Sequence, residues 1–261
     1  MASATFGTVL KEWRGIRRMS QLDLSNAAEV SARHISFLES GRSKPSRPMA
    51  LHLAEALELP RGERNRLLTA AGFSPMWHKQ ELDSEAMAPI HDAIRWTLDR
   101  HNPYPAVVLD RHWKVIDRNE AASAMFAGLG LPDDLDFLDA MTTPGGIRDL
   151  VDNWSSVGRY MHSRLRTESA AVGGDAVLDA AVEKLAADPE LEPTDEPFPP
   201  IVTLDLRLGD AVLSMFSTIA QFGTAEDLAL AEFRIELFFP GDEPTRQFLE
   251  ALSSSPSPSS D

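Results

Sequence analysis

With 261 residues, 43% hydrophobic and 25% charged, the chain has room for one large domain or two ordinary ones and the composition of a folded soluble protein. It contains no Cys, which excludes disulfides, thiolate metal sites and cysteine nucleophiles and ties the fold to no oxidising compartment. The formal net charge of -15 is unevenly spread, since residues 1–75 hold 11 Lys and Arg against 7 Asp and Glu and the acidic excess falls entirely on the remainder. No stretch approaches the roughly 18 apolar residues of a spanning helix, and the N-terminus lacks an uninterrupted apolar core of the secretory type. The expectation is a cytoplasmic protein with no membrane partner.

In chain order, Phe6, Leu10 and Trp13 recur at helical spacing, and Ser20 and Gln21 open a second helix through Leu24, Ala27 and Ala28. Ser31 caps a third helix, Ala32 to Ser40, which Gly41 ends with its permissive backbone. Pro48 begins a fourth with Leu51, Ala54 and Leu57 inward, and Pro60 precedes a fifth carrying Leu67 and Leu68. Two short helices a few residues apart form a helix-turn-helix candidate. With Val30, Ile35 and Leu38 inward, Ser31, Ala32, Arg33, His34, Ser36 and Phe37 are left to face a major groove. There Arg33 suits a guanine edge, and Phe37 or Ala32 a thymine methyl. Arg42, Lys44 and Arg47 follow in a loop suited to phosphates, and Gln21 offers its amide and a helix N-terminus to another.

The run "RGIRRMSQLDLSNAAEVSARHISFLESGRSKPS" resembles the xenobiotic-response-element family of helix-turn-helix regulators, related to phage lambda-type repressors, over about residues 5 to 72. The resemblance implies a double-stranded DNA partner, a palindromic operator being expected, and a structural ion pair between Arg14 and Glu39. The family often has Gly in the turn. Here the position is Glu29, which a positive φ would strain by about 1 kcal/mol or more.

Residues 76–88 read as a linker and 89–252 as a second domain. A helix from about Ser84 to Arg100 precedes "HNPYPAVVLDRHWKVIDRN", a β-hairpin with Arg111 and His112 near its tip. Asn119 opens a helix with Ala122, Met125, Phe126 and Leu129. Helical spacing resumes from about Gly146 to Glu168 and again through Val177, Ala181 and Leu185. After a Pro-rich acidic loop (187 to 200) come three strands: "IVTLDLRL", "AVLSMFSTIA" and "EFRIELFF", the last with Phe233, Ile235, Leu237 and Phe239 on one side. The fold class expected is α+β: a five-helix lambda-repressor-like domain, then a PAS-like sensor domain with a five-stranded antiparallel sheet wrapped on one face by helices. The tail, 253–261, has too little apolar surface to fold.

The middle strand is apolar on both faces, which fits either a packed core or the wall of a lipophilic pocket. Met215, Phe216, Phe222, Trp113, Phe126 and Trp154 could furnish that wall, with Ser217, Thr218 and Asn119 as polar groups. "VLDRHWKVIDRNEAASAMF", "DNWSSVGRYMHSRLRTES" and "LSMFSTIAQFGTAEDLALAEFRIELFFPGDEPT" are similar to the MmyB-like ligand-binding domain. That resemblance implies a small lipophilic ligand, a fatty acid being the expectation, and a homodimer. Its key motif positions fall on Trp113, Asn119, Ala122, Trp154 and Arg166, and a carboxylate head would fall to Arg159, Arg164 or Arg166. Asp110, His112 and Asp117 lie near one another in sequence, but a hairpin tip explains them without catalysis. The seven histidines lack the paired spacing of a zinc site, and no phosphate-binding glycine motif is present. The expected function is therefore a ligand-responsive transcription regulator rather than an enzyme, with no metal or resident cofactor. The alternative is a DNA-binding adaptor whose acidic domain binds a protein and no small molecule.

Overall fold

The computed structural model describes residues 5–77, 87–132, 134–192, 197–222 and 233–254, which fall in two units. In the first, α1 (Phe6–Ile16), α2 (Gln21–Ala27), α3 (Ala32–Glu39), α4 (Arg47–Ala56) and α5 (Arg61–Ala70) are short because each is punctuated by its own cap. The side chains of Thr5, Ser20, Ser31 and Ser46 accept N–H bonds from the first turns of α1 to α4, and Asp23 completes a capping box with Ser20. The five helices bury Val9, Leu10, Trp13, Leu24, Ile35, Leu38, Leu53 and Leu67 in one core. In α4 the inward face is carried by Ala50, Leu53 and Ala54, with Leu51 only half-buried. Ala54 and Leu57 are buried as expected, and Leu51 packs against the edge of the core. Met76 and Trp77 also belong to this unit: both backbone N–H groups donate to Asn65 Oδ1, at 2.8 and 3.1 Å.

Two constraints place α3. At Gly7 the backbone of α1 lies so close to α3 that an added Cβ would stand 2.7 Å from the Leu38 carbonyl oxygen and nearer still to that of Glu39. Two turns further along, Arg14 grips Glu39 through two parallel bonds, Nε to Oε1 at 2.7 Å and Nη2 to Oε2 at 3.1 Å. Arg14 Nη1 also donates to the Met19 carbonyl at 2.7 Å, and Gln21 Nε2 donates to Glu39 Oε2 at 2.8 Å. Burial alone would raise the Glu39 pKa, but bonds from Arg14 and Gln21 outweigh it and hold the carboxyl below its ordinary range. Between α2 and α3, Glu29 adopts φ 49°, the left-handed conformation that its side chain disfavours.

The second unit is built on a five-stranded antiparallel sheet of order β2-β1-β5-β4-β3, the PAS-like sheet expected. Its strands are β1 (Ala106–Leu109), β2 (Val115–Arg118), β3 (Leu204–Leu208), β4 (Ala211–Ala220) and β5 (Arg234–Pro240). Gly209, at φ 61°, makes the two-residue reversal that pairs Leu208 with Ala211. Alternation then decides the faces. Leu206, Leu213, Met215 and Phe238 face the large core, together with Val107 and Leu109 of β1. That core is closed by α7 (Glu120–Gly128), α8 (Phe137–Thr142), α9 (Trp154–Ala171), α10 (Ala176–Ala186) and α11 (Glu243–Ser254).

Three features differ from the sequence expectation. The sheet is covered on both faces, because α6 (Ala88–His101) lays Ile94 and Leu98 against Ala106, Val108 and Ile235 on the far side. The expected helix from Gly146 to Glu168 is two pieces. A 3-10 turn (Ile147–Leu150) is separated from α9 by a segment in which Asp152 N–H bonds Asp205 O at 2.8 Å and Val151 bridges Leu206. Helices α8 and α11 were not expected; α8 spans only 6 residues, whereas α11 is amphipathic and turns Phe248 and Leu249 to the core, a pattern its sequence did carry. Glu232, the first residue of the third expected strand run, and the tail from 255 lie outside the described residues.

Asn119 joins these parts. Its Oδ1 accepts from Ala122 N–H at 2.9 Å, capping α7, and from Ala106 N–H at 3.0 Å, while Nδ2 donates to Leu98 O at 3.2 Å and Tyr104 O at 2.8 Å. One buried amide thus ties α6, β1 and α7.

Gly7→Ala should force α1 from α3 and destabilise the chain by roughly 1–3 kcal/mol in urea unfolding, whereas Gly15→Ala, at a helical position where nothing lies within 4 Å, should stabilise it by up to about 1 kcal/mol. Asn119→Ala should cost roughly 3 kcal/mol in the same measurement, through the lost cap and the buried groups it leaves unpaired. Because the folded pKa of Glu39 lies below its unfolded value, its stabilisation is present above the unfolded value of about 4.3 and is lost as pH falls through the folded one. The stability gap between Glu39→Gln and the parent chain should therefore narrow as pH is lowered below about 4.

Candidate DNA-binding surface and ligand cavity

With the inner face of α3 buried at Ile35 and Leu38, its N-terminal turn carries the exposed Arg33 and the following loop the exposed Arg42 and Lys44, while Arg47, expected in that loop, is the exposed first residue of α4, because Ser46 caps the helix just before it. Ser31 is exposed and also caps the helix, its hydroxyl accepting from His34 N–H at 3.2 Å. Ala32, His34, Ser36 and Phe37 are half-buried. The Phe37 ring lies between two guanidinium groups, Arg33 at 5.1 Å and Arg42 at 5.8 Å from its centroid. Phe37 is thereby engaged in steadying two cations, a role its sequence position did not disclose. Gln21 commits its side-chain amide to Glu39, so the backbone at the start of α2 is what remains of the phosphate contact expected there.

In the second unit a cavity open to solvent lies between the sheet and helices α8 and α9. Phe137, Met141, Val157, Met161, Leu204, Met215 and Phe238 form an apolar wall. Tyr160, 40% exposed, and Ser217 stand where it meets solvent. Trp113 and Phe216 also line it, and Arg164 and Glu236 supply charge. Phe216 stacks on Phe239 with ring centroids 5.6 Å apart.

Arg164 is the centre of this polar end. Its Nε donates to Glu168 at 2.9 Å, its Nη1 donates to Glu236 Oε1 at 2.8 Å, and its guanidinium lies 4.2 Å from the centroid of the Trp113 ring. Arg234 Nη1 donates to the same Glu168 Oε1 at 2.5 Å, and Trp113 Nε1 donates to Glu168 Oε2 at 3.0 Å. Burial works to raise the Glu168 pKa, but the bonds from Arg234 and Trp113 prevail and keep it low; burial likewise opposes the Arg164 charge, and the attraction of Glu236 and Glu168 holds it protonated. Trp113 sits at φ 65°, a backbone conformation costly for a bulky side chain, and is held there by the two arginines over its ring and the bond to Glu168. Among the described residues nothing accepts from Arg164 Nη2, a buried donor whose lack of a partner costs roughly 1–3 kcal/mol or more.

Of the pocket residues expected from sequence, Trp113, Met215, Phe216, Ser217 and Arg164 line the cavity, and Asn119, Ala122, Phe126, Trp154, Arg159, Arg166, Thr218 and Phe222 do not. Asn119 is consumed by backbone bonds, and Ala122 and Phe126 pack within the main core. Trp154 is pinned outside the cavity, its Nε1 donating to Asp188 at 3.0 Å with Arg148 over its ring at 5.3 Å. Thr218 is exposed on the opposite face of β4, and Phe222 packs on the α6 side. Helical phase explains the arginines: Val157, Met161 and Leu165 define the buried stripe of α9, and Arg164 falls on it, three residues beyond Met161. Arg159 and Arg166 project elsewhere, Arg159 bonding Ser155 O at 3.0 Å and Arg166 exposed. Glu236 went unnoticed in the sequence because it sits within an apolar strand. Its carboxylate between Ile235 and Leu237 was the available signal.

Asp110, His112 and Asp117 do not form one site. Asp110 accepts from the backbone of His112 and Lys114 in the turn, His112 Nε2 lies 3.1 Å from Asp175, and Asp117 pairs with Arg95 at 3.0 Å. Among the described residues no helix is long and apolar enough to cross a membrane.

No curated protein matches the chain. A helix-turn-helix domain model matches residues 5–67, the unit that carries the basic edge. The model described as the MmyB-like transcription regulator ligand binding domain matches residues 90–252, the unit that holds the cavity. With that match spanning more than half its length, this chain belongs to the family of MmyB-like transcription regulators, a DNA-binding helix-turn-helix joined to a ligand-binding domain.

Proposed function

We propose that this regulator reads a specific operator through α3 and the loop behind it, and that a small lipophilic molecule in the second unit modulates the binding. The observation that carries the reading is the division of labour between the units: one carries an exposed basic edge on a fixed helix, and the other an apolar cavity with a single polar end. Arg33 is the base-reading residue, with Ala32, His34, Ser36 and Phe37 in the groove beside it and Ser31 at the helix start. Arg42, Lys44 and Arg47 neutralise phosphates and set register. The net negative charge of the rest of the chain does not oppose this, since counterions screen it beyond about 8–10 Å.

The chain acts as a cytoplasmic homodimer on a palindromic site, two heads reading half-sites about 34 Å apart. Its guest has an acyl-like apolar body of the fatty-acid class, matched to a wall in which Met141, Met161 and Met215 supply adaptable surface. Such a molecule changes operator affinity only as far as it binds the DNA-competent arrangement differently from the other.

Arg33→Ala should reduce discrimination between the selected operator and a scrambled duplex, at a cost of about 1–3 kcal/mol confined to the specific site. Lys44→Ala should weaken both duplexes alike and reduce the slope of log affinity against log salt by about one. Fluorescence anisotropy across a salt series separates the two. Unchanged discrimination in Arg33→Ala would remove α3 as the reading helix.

A further inference from the structure

Helix α6 buries one face and leaves the opposite one bare. Ile94 and Leu98 pack on the sheet, and at about 100° per residue Trp96 falls at the middle of the outward side. Its side chain is 61% exposed, more than any other large apolar side chain among the described residues. Around it Pro89, Asp92, Ala93, Asp99 and Arg100 are exposed as well.

The charges on this face are ordered. Asp92 lies four residues before Trp96 and Arg100 four residues after it, so the stripe reads acid, ring, base along the helix axis. Arg95, on the flank, is paired with Asp117 at 3.0 Å and lies 3.7 Å from Asp99. Among the described residues no ion pair engages Asp92 or Arg100. The Arg100 guanidinium rests over the indole, 5.2 Å from the ring centroid, which holds a long side chain near the face and lowers the cost of ordering it in a contact.

Such a stripe is complementary to itself in one orientation. When two copies lay it face to face and antiparallel about a two-fold axis at Trp96, each residue before the ring meets the residue equally far beyond it in the other copy. Asp92 then meets Arg100 twice, once on each side of the axis. A parallel arrangement sets acid against acid and base against base. Ala93, small and beside the ring, leaves room for the second indole.

Building on the homodimer proposed above, we infer that two copies of this chain associate through the outward face of α6, antiparallel, with Trp96 at the centre and an Asp92–Arg100 pair at each end. The central aromatic supplies most of the affinity, and the charges fix the register.

The test is sedimentation equilibrium of the full-length chain and its variants in the micromolar range, with circular dichroism to confirm that each is folded. The parent should be a dimer and Trp96→Glu a monomer. A Trp96→Glu dimer as tight as the parent's would overturn the assignment of α6 and leave the homodimer standing on another surface. A parent chain that is itself monomeric would overturn both, leaving the face to a different protein. Asp92→Arg and Arg100→Asp, each alone, set like charges against each other at both ends and should weaken self-association at least tenfold. Mixed in equal amounts, the two variants should associate with each other about as tightly as the parent, because opposite charges again meet at every contact. Single variants as tight as the parent, or a mixture no tighter than its components, would overturn the antiparallel pairing. If Trp96→Glu fails to fold, the mixing experiment decides the matter.

Discussion

The bidentate bond from Arg14 to Glu39 is the constraint from which the DNA-facing half of the molecule follows. It joins the end of α1 to the end of α3, it draws Gln21 of α2 into the same carboxylate, and it does so beside the close approach of backbones at Gly7. Three helices are thus referenced to one buried charge. The outward face of α3 inherits its orientation from this arrangement, because a helix fixed along one stripe has no freedom left for the others. The strain at Glu29 is tolerated in the turn for the same reason: packing of Leu24, Ile35 and Leu38 on either side over-determines the backbone there.

The ligand-binding half uses a related device with a different outcome. Around Arg164 the fork is divided between two carboxylates on different elements, Glu168 one turn along α9 and Glu236 on β5, so the guanidinium ties helix to sheet. The division leaves Nη2 without an acceptor among the described residues, whereas in Arg14 each of the three nitrogens donates. A saturated arginine is structural. Arg164 instead stands beside an apolar hollow and against a strained tryptophan.

The sheet explains why a hollow exists at all. On its far face α6 packs Ile94 and Leu98 directly on β1 and β5. On the near face, the single pass of α9 and the short α8 meet β4 and β5 through long side chains, Met141, Met161 and Met215 among them, and leave space between. The break before α9, where Asp152 and Val151 bond along β3, sets the angle at which α9 leaves the sheet and so the width of that space.

Much of this was legible in the chain itself. Local caps and spacing are written into consecutive residues, so Ser20, Ser31 and Asn119 announced three helix starts, and the Arg14–Glu39 pair came with the family resemblance. The folding of the sheet, by contrast, decides which residues separated by tens of positions share one cavity. Trp154, Asn119 and Phe126 read as pocket residues from composition, yet Asp188, Tyr104 and Arg118 engage them elsewhere. Arg164 and Glu236 acquire their meaning only because β5 returns beside β4 and presents a carboxylate to α9 across 72 positions of sequence. Helical phase and cap chemistry are short-range properties of adjacent residues; the partner of a buried charge is fixed by long-range packing, and so the tertiary structure alone determined where the binding chemistry lies.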